Sequence, residues 1–170
     1  FMLVASMNPC PCGFYNHPEK SCNCPPGAVT KYLNRISGPL LDRIDLHVEV
    51  TPVAFSALAS KETIENSASI RDRVMAARSI QANRYKGKTG IYANAQMESK
   101  EMKEICQLNE AGQNLLKNAM EKLNLSARAY DRILKVARTV ADLANSENIM
   151  PEHIAEAIHY RSLDREGWGG

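Results

Sequence analysis

The sequence of 170 residues has no apolar run near the ~20 residues that a membrane-crossing helix needs, and its longest, Phe1 to Ala5, falls far short. No basic leader with a small-residue cleavage site precedes that run, so a secretory signal is not expected and a cytoplasmic location is the default. An excess of one charge is also missing. The formal net charge is only +2, so the overall balance gives no argument for a polyanionic partner. Internal repeats and low-complexity tracts are absent, which argues against a solenoid or a disordered tail. A Gly-x-x-x-x-Gly-Lys-Ser/Thr phosphate loop occurs nowhere, so these residues alone are not expected to hydrolyse a nucleotide. What is present, 44% hydrophobic and 24% charged residues, suits one ordinary domain or two small ones.

Along the chain the periodicity changes once. Phe1-Met2-Leu3-Val4-Ala5 is apolar on both faces and reads as a central strand, its neighbours expected upstream. The stretch from Asn8-Pro9-Cys10 to Cys24-Pro25-Pro26-Gly27 reads as an irregular insert. Val29, Tyr32, Leu33 and Ile36 predict a short helix over 28–36. Ile44, Leu46, Val48 and Val50, alternating with Asp45, His47 and Glu49, predict a half-exposed strand ending at Thr51-Pro52. Every later periodic segment is helical. One helix is predicted over about 67–85 with Ile70, Val74, Ala77 and Ile80 inward, then a linker over 86–98. Further helices are predicted from Ser99 toward Leu123 with a break near Asn109, from Ser126 to Leu143, and from Pro151 to Arg161. Ser126 suits an N-cap and Pro151 a first turn, while Ile133, Val136, Ala137, Val140 and Ala141 form one stripe. The expected fold is an α+β fragment, mainly α. Two strands, a short helix and the Cys-rich insert occupy 1–52, a connecting helix and linker 53–98, and a helical domain 99–170.

Cys10, Cys12, Cys22 and Cys24 form two Cys-x-Cys pairs with His17 between them. Four thiols so close in a chain expected to be cytoplasmic suggest a metal before a disulfide, and a short Pro/Gly-rich insert has little core to hold it otherwise. A structural zinc is weighed here against reduced thiols. Cys106, alone on a helix, reads as a small buried apolar residue. Arg71, Arg73, Arg78, Arg84, Lys86 and Lys88 gather with Asp72 as the only acid among them. They could follow a phosphate backbone, yet they are distributed around the helix with few aromatics, and a solvated face is the preferred reading.

Five local sequences carry a family resemblance. They are Met7-Asn8-Pro9-Cys10-Pro11-Cys12-Gly13, the run Ser37-Gly38-Pro39-Leu40-Leu41-Asp42-Arg43-Ile44-Asp45-Leu46-His47-Val48, Ser126-Ala127-Arg128-Ala129-Tyr130, Val136-Ala137-Arg138-Thr139-Val140-Ala141-Asp142-Leu143 and Glu156-Ala157-Ile158-His159-Tyr160-Arg161. In order and spacing the chain resembles the magnesium-chelatase-like AAA+ ATPases of the ComM/YifB type. The resemblance implies the end of an AAA+ α/β core followed by a helical lid, working with ATP and Mg2+ in a homo-oligomeric, hexameric ring. It assigns Asn8 as the sensor 1 residue that orients the attacking water, Arg43 as an arginine finger acting in trans, and Arg128 as the sensor 2 arginine reaching the γ-phosphate. Each assignment has a plain alternative. Asn8 can open a turn before Pro9, Arg43 can pair with Asp42 or Asp45, and Arg128 can lie on a solvated helix face. Arg132, one turn after Arg128, shares its face. The output implied by ComM-like relatives is DNA branch migration; chelatase relatives imply metal insertion, and a zinc-binding adaptor is the non-enzymatic rival.

Overall fold

The computed structural model describes residues 2–53 and 65–161. Helices dominate: α1 (Ala28–Leu33), α2 (Gly38–Leu41), α3 (Ser67–Arg84), α4 (Ser99–Ile105), α5 (Glu110–Lys122), α6 (Ala127–Leu143) and α7 (Pro151–His159), with a 3-10 turn at Asn94–Gln96. No helix among the described residues is long and apolar enough to cross a membrane.

The helix ends follow from side chains that replace missing backbone partners. Asn66 Oδ1 accepts from Ser69 N at 2.9 Å, Asn109 Oδ1 from Gly112 N at 2.8 Å, and Ser126 Oγ from Ala129 N at 3.1 Å, so α3, α5 and α6 each start on an N-cap. At the other ends Asn124 (φ 48°) and Asn145 (φ 52°) adopt the left-handed conformation. They let Leu125 N reach Met120 O at 3.0 Å and Ser146 N reach Ala141 O at 2.8 Å, closing Schellman turns after α5 and α6.

Helix α6 is the centre of the fold. Ile133, Ala137 and Ala141, one turn apart, are fully buried and pack with Ile154 and Ala157 of α7, Leu116 of α5 and Met102 of α4. Burying the larger of these side chains, Ile133, Ile154, Leu116 and Met102, stabilises the fold by ~1.5–3 kcal/mol each. Helices α5 and α7 cross closely at Gly112, where a Cβ would stand 2.8 Å from Ile154 Cδ1. The segment read as a linker, 86–98, supplies Asn94 and Met97 to this core.

Two expectations fail. Neither strand forms: residues 2–5 and 44–50 carry no ladder, and the β interactions among the described residues reduce to an isolated parallel bridge between Leu108 and Ile149. A strand is completed by its neighbour, and the described residues contain none for either segment. The alternation in 44–50 does not set an inward face either, because His47 is the buried residue whereas Leu46 is 48%, Val48 66% and Val50 87% exposed. The inward face expected for α3 is wrong at its start. Ile70 and Val74 are exposed, while Ala77, Gln81 and the following Tyr85 are buried, because only the C-terminal half of α3 lies against α6.

Candidate functional site

Segment 41–47 leaves α2 and is held by the helical domain at two places. At the start of α6, Ser126 Oγ donates to Asp42 Oδ1 at 2.8 Å, so the capping residue is also a tether. Arg128 Nη1 lies 3.9 Å from Asp42 Oδ2, and Arg132 forms an ion pair with Asp45. Beyond α7, His47 N donates to the Tyr160 carbonyl at 2.8 Å. Arg161, 1% exposed, donates to the Ile44 carbonyl and places Nη2 3.8 Å from Asp42 Oδ1. The His47 ring closes the segment internally, with Nε2 3.2 Å from the Leu41 carbonyl.

Arg43 is exposed in the middle of this segment, its Nη1 donating to the Pro39 carbonyl at 2.7 Å. Among the described residues no carboxylate forms an ion pair with it. Asp42 and Asp45, the acids considered as its partners, are turned to Arg128, Arg132 and Arg161 instead. The Arg128 side chain is 68% exposed beside Asp42. The fold therefore brings the segment of Arg43 and the helix of Arg128 together through shared aspartates. Asn8 is exposed and makes no hydrogen bond to either arginine.

The four cysteines of the insert converge. Their sulfurs all lie within 4.8 Å of one another, with Cys10–Cys12 at 3.4 Å, Cys12–Cys22 at 3.6 Å and Cys10–Cys22 at 3.7 Å. Gly13, at φ 82°, turns the chain so that Tyr15 N donates to Cys10 Sγ at 3.3 Å. The Phe14 backbone N–H is the largest influence holding the Cys12 thiol down to about 6. Cys24 is drawn down most by the Cys12 backbone, yet burial and the three neighbouring sulfurs push it up to about 12. Such a cluster can hold a metal ion, which neutralises the thiolates that repel one another here. His17 takes no part. Its Nδ1 accepts from Glu19 N and Lys20 N, each at 3.1 Å.

Sequence reasoning missed a second charged cluster, buried between α3 and α6. Arg84 donates to both oxygens of Asp142, at 2.5 and 2.7 Å, while Asn94 Nδ2 donates to Asp142 Oδ2 at 2.8 Å and Arg138 Nε to Oδ1 at 3.1 Å. Burial opposes the charge on Asp142, but these donors outweigh it and hold the carboxyl below its ordinary range. Arg84 is therefore not part of a solvated face, and Lys88 also pairs, with Glu101 and Glu104 at 3.6 and 3.7 Å. The available signal was Asp142 itself, an acid four residues after Arg138 and flanking the apolar stripe. Cys106 is buried as expected, and burial pushes its thiol up to about 11.

The family model for magnesium chelatase, subunit ChlI C-terminal, matches residues 64–161, and the model for magnesium chelatase, subunit ChlI, matches residues 1–58. Competence protein ComM of Haemophilus influenzae is 43% identical over 97% of the chain. The YifB protein of Escherichia coli is 42% identical over 97% of it. The chain spans 31% of the length of each of these two relatives.

Proposed function

From the premise that the chain belongs to the magnesium chelatase, subunit ChlI, family of ComM- and YifB-like proteins, we propose that it is the distal part of an AAA+ ATPase whose hydrolytic pocket is completed between protomers. One observation carries this reading. Arg43 is an exposed guanidinium with no acid partner among the described residues, displayed by a segment docked on the helix that bears Arg128.

Phosphoryl transfer to water needs positioning and charge neutralisation more than covalent help. In this reading the Asn8 amide orients the attacking water, being able to donate and accept at once. Arg43 reaches the γ-phosphate of a neighbouring protomer, where its planar fork matches the equatorial oxygens as negative charge moves toward the leaving ADP. Arg128, in the first turn of α6, reaches the same phosphate within its own protomer and ties the angle of the helical lid to the nucleotide. Mg2+ would enter with ATP, and none of these residues serves as its ligand. In the full-length protein Arg43→Ala is expected to lower ATP turnover by ~10³-fold or more while nucleotide binding persists. Turnover at the parental rate would exclude the trans role.

The output proposed is remodelling of DNA by a ring, a hexamer in the simplest case, for which the support is the name competence protein carried by a relative and the exposed Arg71, Arg78 and Lys86 on and after α3. Metal insertion of the chelatase kind is the alternative. DNA-stimulated ATPase separates them: stimulation by duplex or branched DNA fits the first, and indifference to DNA fits the second.

For the cysteine cluster we propose structural Zn2+. A tetrahedral site with Zn–S bonds of ~2.3 Å has S···S edges of about 3.8 Å, close to the spacing of Cys10, Cys12 and Cys22. Zinc would supply a rigid cross-link for an insert with almost no core. Protein purified without chelators should contain about one equivalent of zinc with the four thiols shielded from alkylation. Four freely reacting thiols and no zinc would dispose of the site.

A further inference from the structure

We infer that Arg161 is a positioning residue for Arg43, clamping the arginine-bearing segment to the lid so that the lid of one protomer sets the guanidinium offered to the next. The inference rests on the trans role proposed above for Arg43 and adds a residue that role does not require.

The observations are geometric. Segment 41–47 has no ladder to hold it, yet Leu41 and His47 are buried and its polar groups meet the helical domain at both ends. The tethers span the whole domain in sequence, 84 residues from Asp42 to Ser126 and 117 from Ile44 to Arg161. Arg161 is the central one. It is 1% exposed, lies just past the Tyr160 that caps α7, donates to the carbonyl of Ile44 and faces the carboxylate of Asp42, so it grips the residues on either side of Arg43. A buried guanidinium is costly to desolvate, and here it donates to the backbone and places its charge beside the Asp42 carboxylate of the very segment that displays Arg43. Asp45 and Arg132 add a second tie on the other side, with Asp45 61% exposed. The consequence is mechanical. Any rotation of α6 and α7 carries segment 41–47 with it, and Arg43 moves as part of the lid.

Mixed oligomers of the full-length protein test this. Arg43→Ala protomers lack the finger but keep Arg128; Arg128→Ala protomers lack the sensor but keep the finger. Each alone should be inactive, and mixing should restore turnover at interfaces that join an intact sensor to an intact finger. Arg161→Ala placed in the finger-donating protomer should then lower the restored turnover about tenfold or more, with less than about a twofold change when placed in the protomer whose finger is already lost. Arg161→Lys, which keeps the charge but not the fork, should lie between. A general folding or assembly defect would lower both mixtures alike. Equal loss in both arms, or no loss in either, overturns the clamp. Should Arg161→Ala not fold, Asp45→Ala at the exposed tie must show the same asymmetry at smaller size, and its absence overturns the clamp equally. Full turnover by Arg43→Ala alone would instead remove the trans role, and the clamp with it.

Discussion

Residues 65–161 and residues 2–53 are built on opposite principles. The first region closes its own core, with Ile133, Ala137, Ala141 and Ile154 inaccessible to solvent and with caps at both ends of its long helices. The second leaves Met2, Leu3, Val4, Val48 and Val50 more than half exposed and is fastened by a sulfur cluster and by polar contacts to its neighbour. The difference reflects where each kind of element finds its hydrogen-bond partners. A helix satisfies its backbone within itself, whereas a strand is satisfied only by another strand. The first region can therefore hold its shape through its own contacts, and the second is positioned by what it touches.

That contrast can be broken from the inside of the helical region. Asp142→Asn would leave the buried guanidinium of Arg138 and the half-buried one of Arg84 without their counter-charge, and it should cost ~3–5 kcal/mol in denaturant unfolding. The sign with pH follows from the depressed carboxyl. Asp142 contributes its full stabilisation above the ordinary carboxylate range, and the contribution is lost as pH falls through its lowered folded value. The parent should therefore lose stability on acidification below that range, and the Asn variant should lose less. Parallel acid unfolding curves for the two proteins would show that folding does not lower the Asp142 pKa.

At the junction the effect should be smaller. Ser126→Ala removes both the cap on α6 and the donor to Asp42, so about 1 kcal/mol of global stability should go. A cap serving α6 alone would leave exchange of the His47 amide unchanged, whereas a shared tether predicts faster exchange there. The smallest effect is expected in residues 2–53. Val48→Ser replaces a side chain that is 66% exposed and should change unfolding by less than about 0.5 kcal/mol. A loss of several times that size would mean that this face is covered in solution.

The sequence made the helical region legible because its signals are local. Ser126, Asn109 and Pro151 mark helix starts, and the spacing of Ile133, Ala137 and Ala141 marks the buried side of α6. Convergence of the four cysteines was legible from two short spacings joined by a nine-residue loop. Period alone misled at residues 44–50, where an alternating pattern exists but no neighbour completes it, and at Ile70 and Val74, where α3 has run past the helix it packs on. The network around Asp142 and the grip of Arg161 were illegible for another reason: their members lie far apart in the chain.

By itself, then, the sequence determined where helices start and stop, which side of α6 is apolar, and that four thiols stand close enough to share an ion. Those features depend on contacts within a few residues. The tertiary structure alone decided that Asp42 and Asp45 face the helical domain and leave Arg43 in solvent, that Arg84 pairs with the buried Asp142, and that Arg161 grips Ile44, 117 positions away. Charges at such separations meet only after the helices have packed, and many pairings of the same sequence are equally open to an unfolded chain.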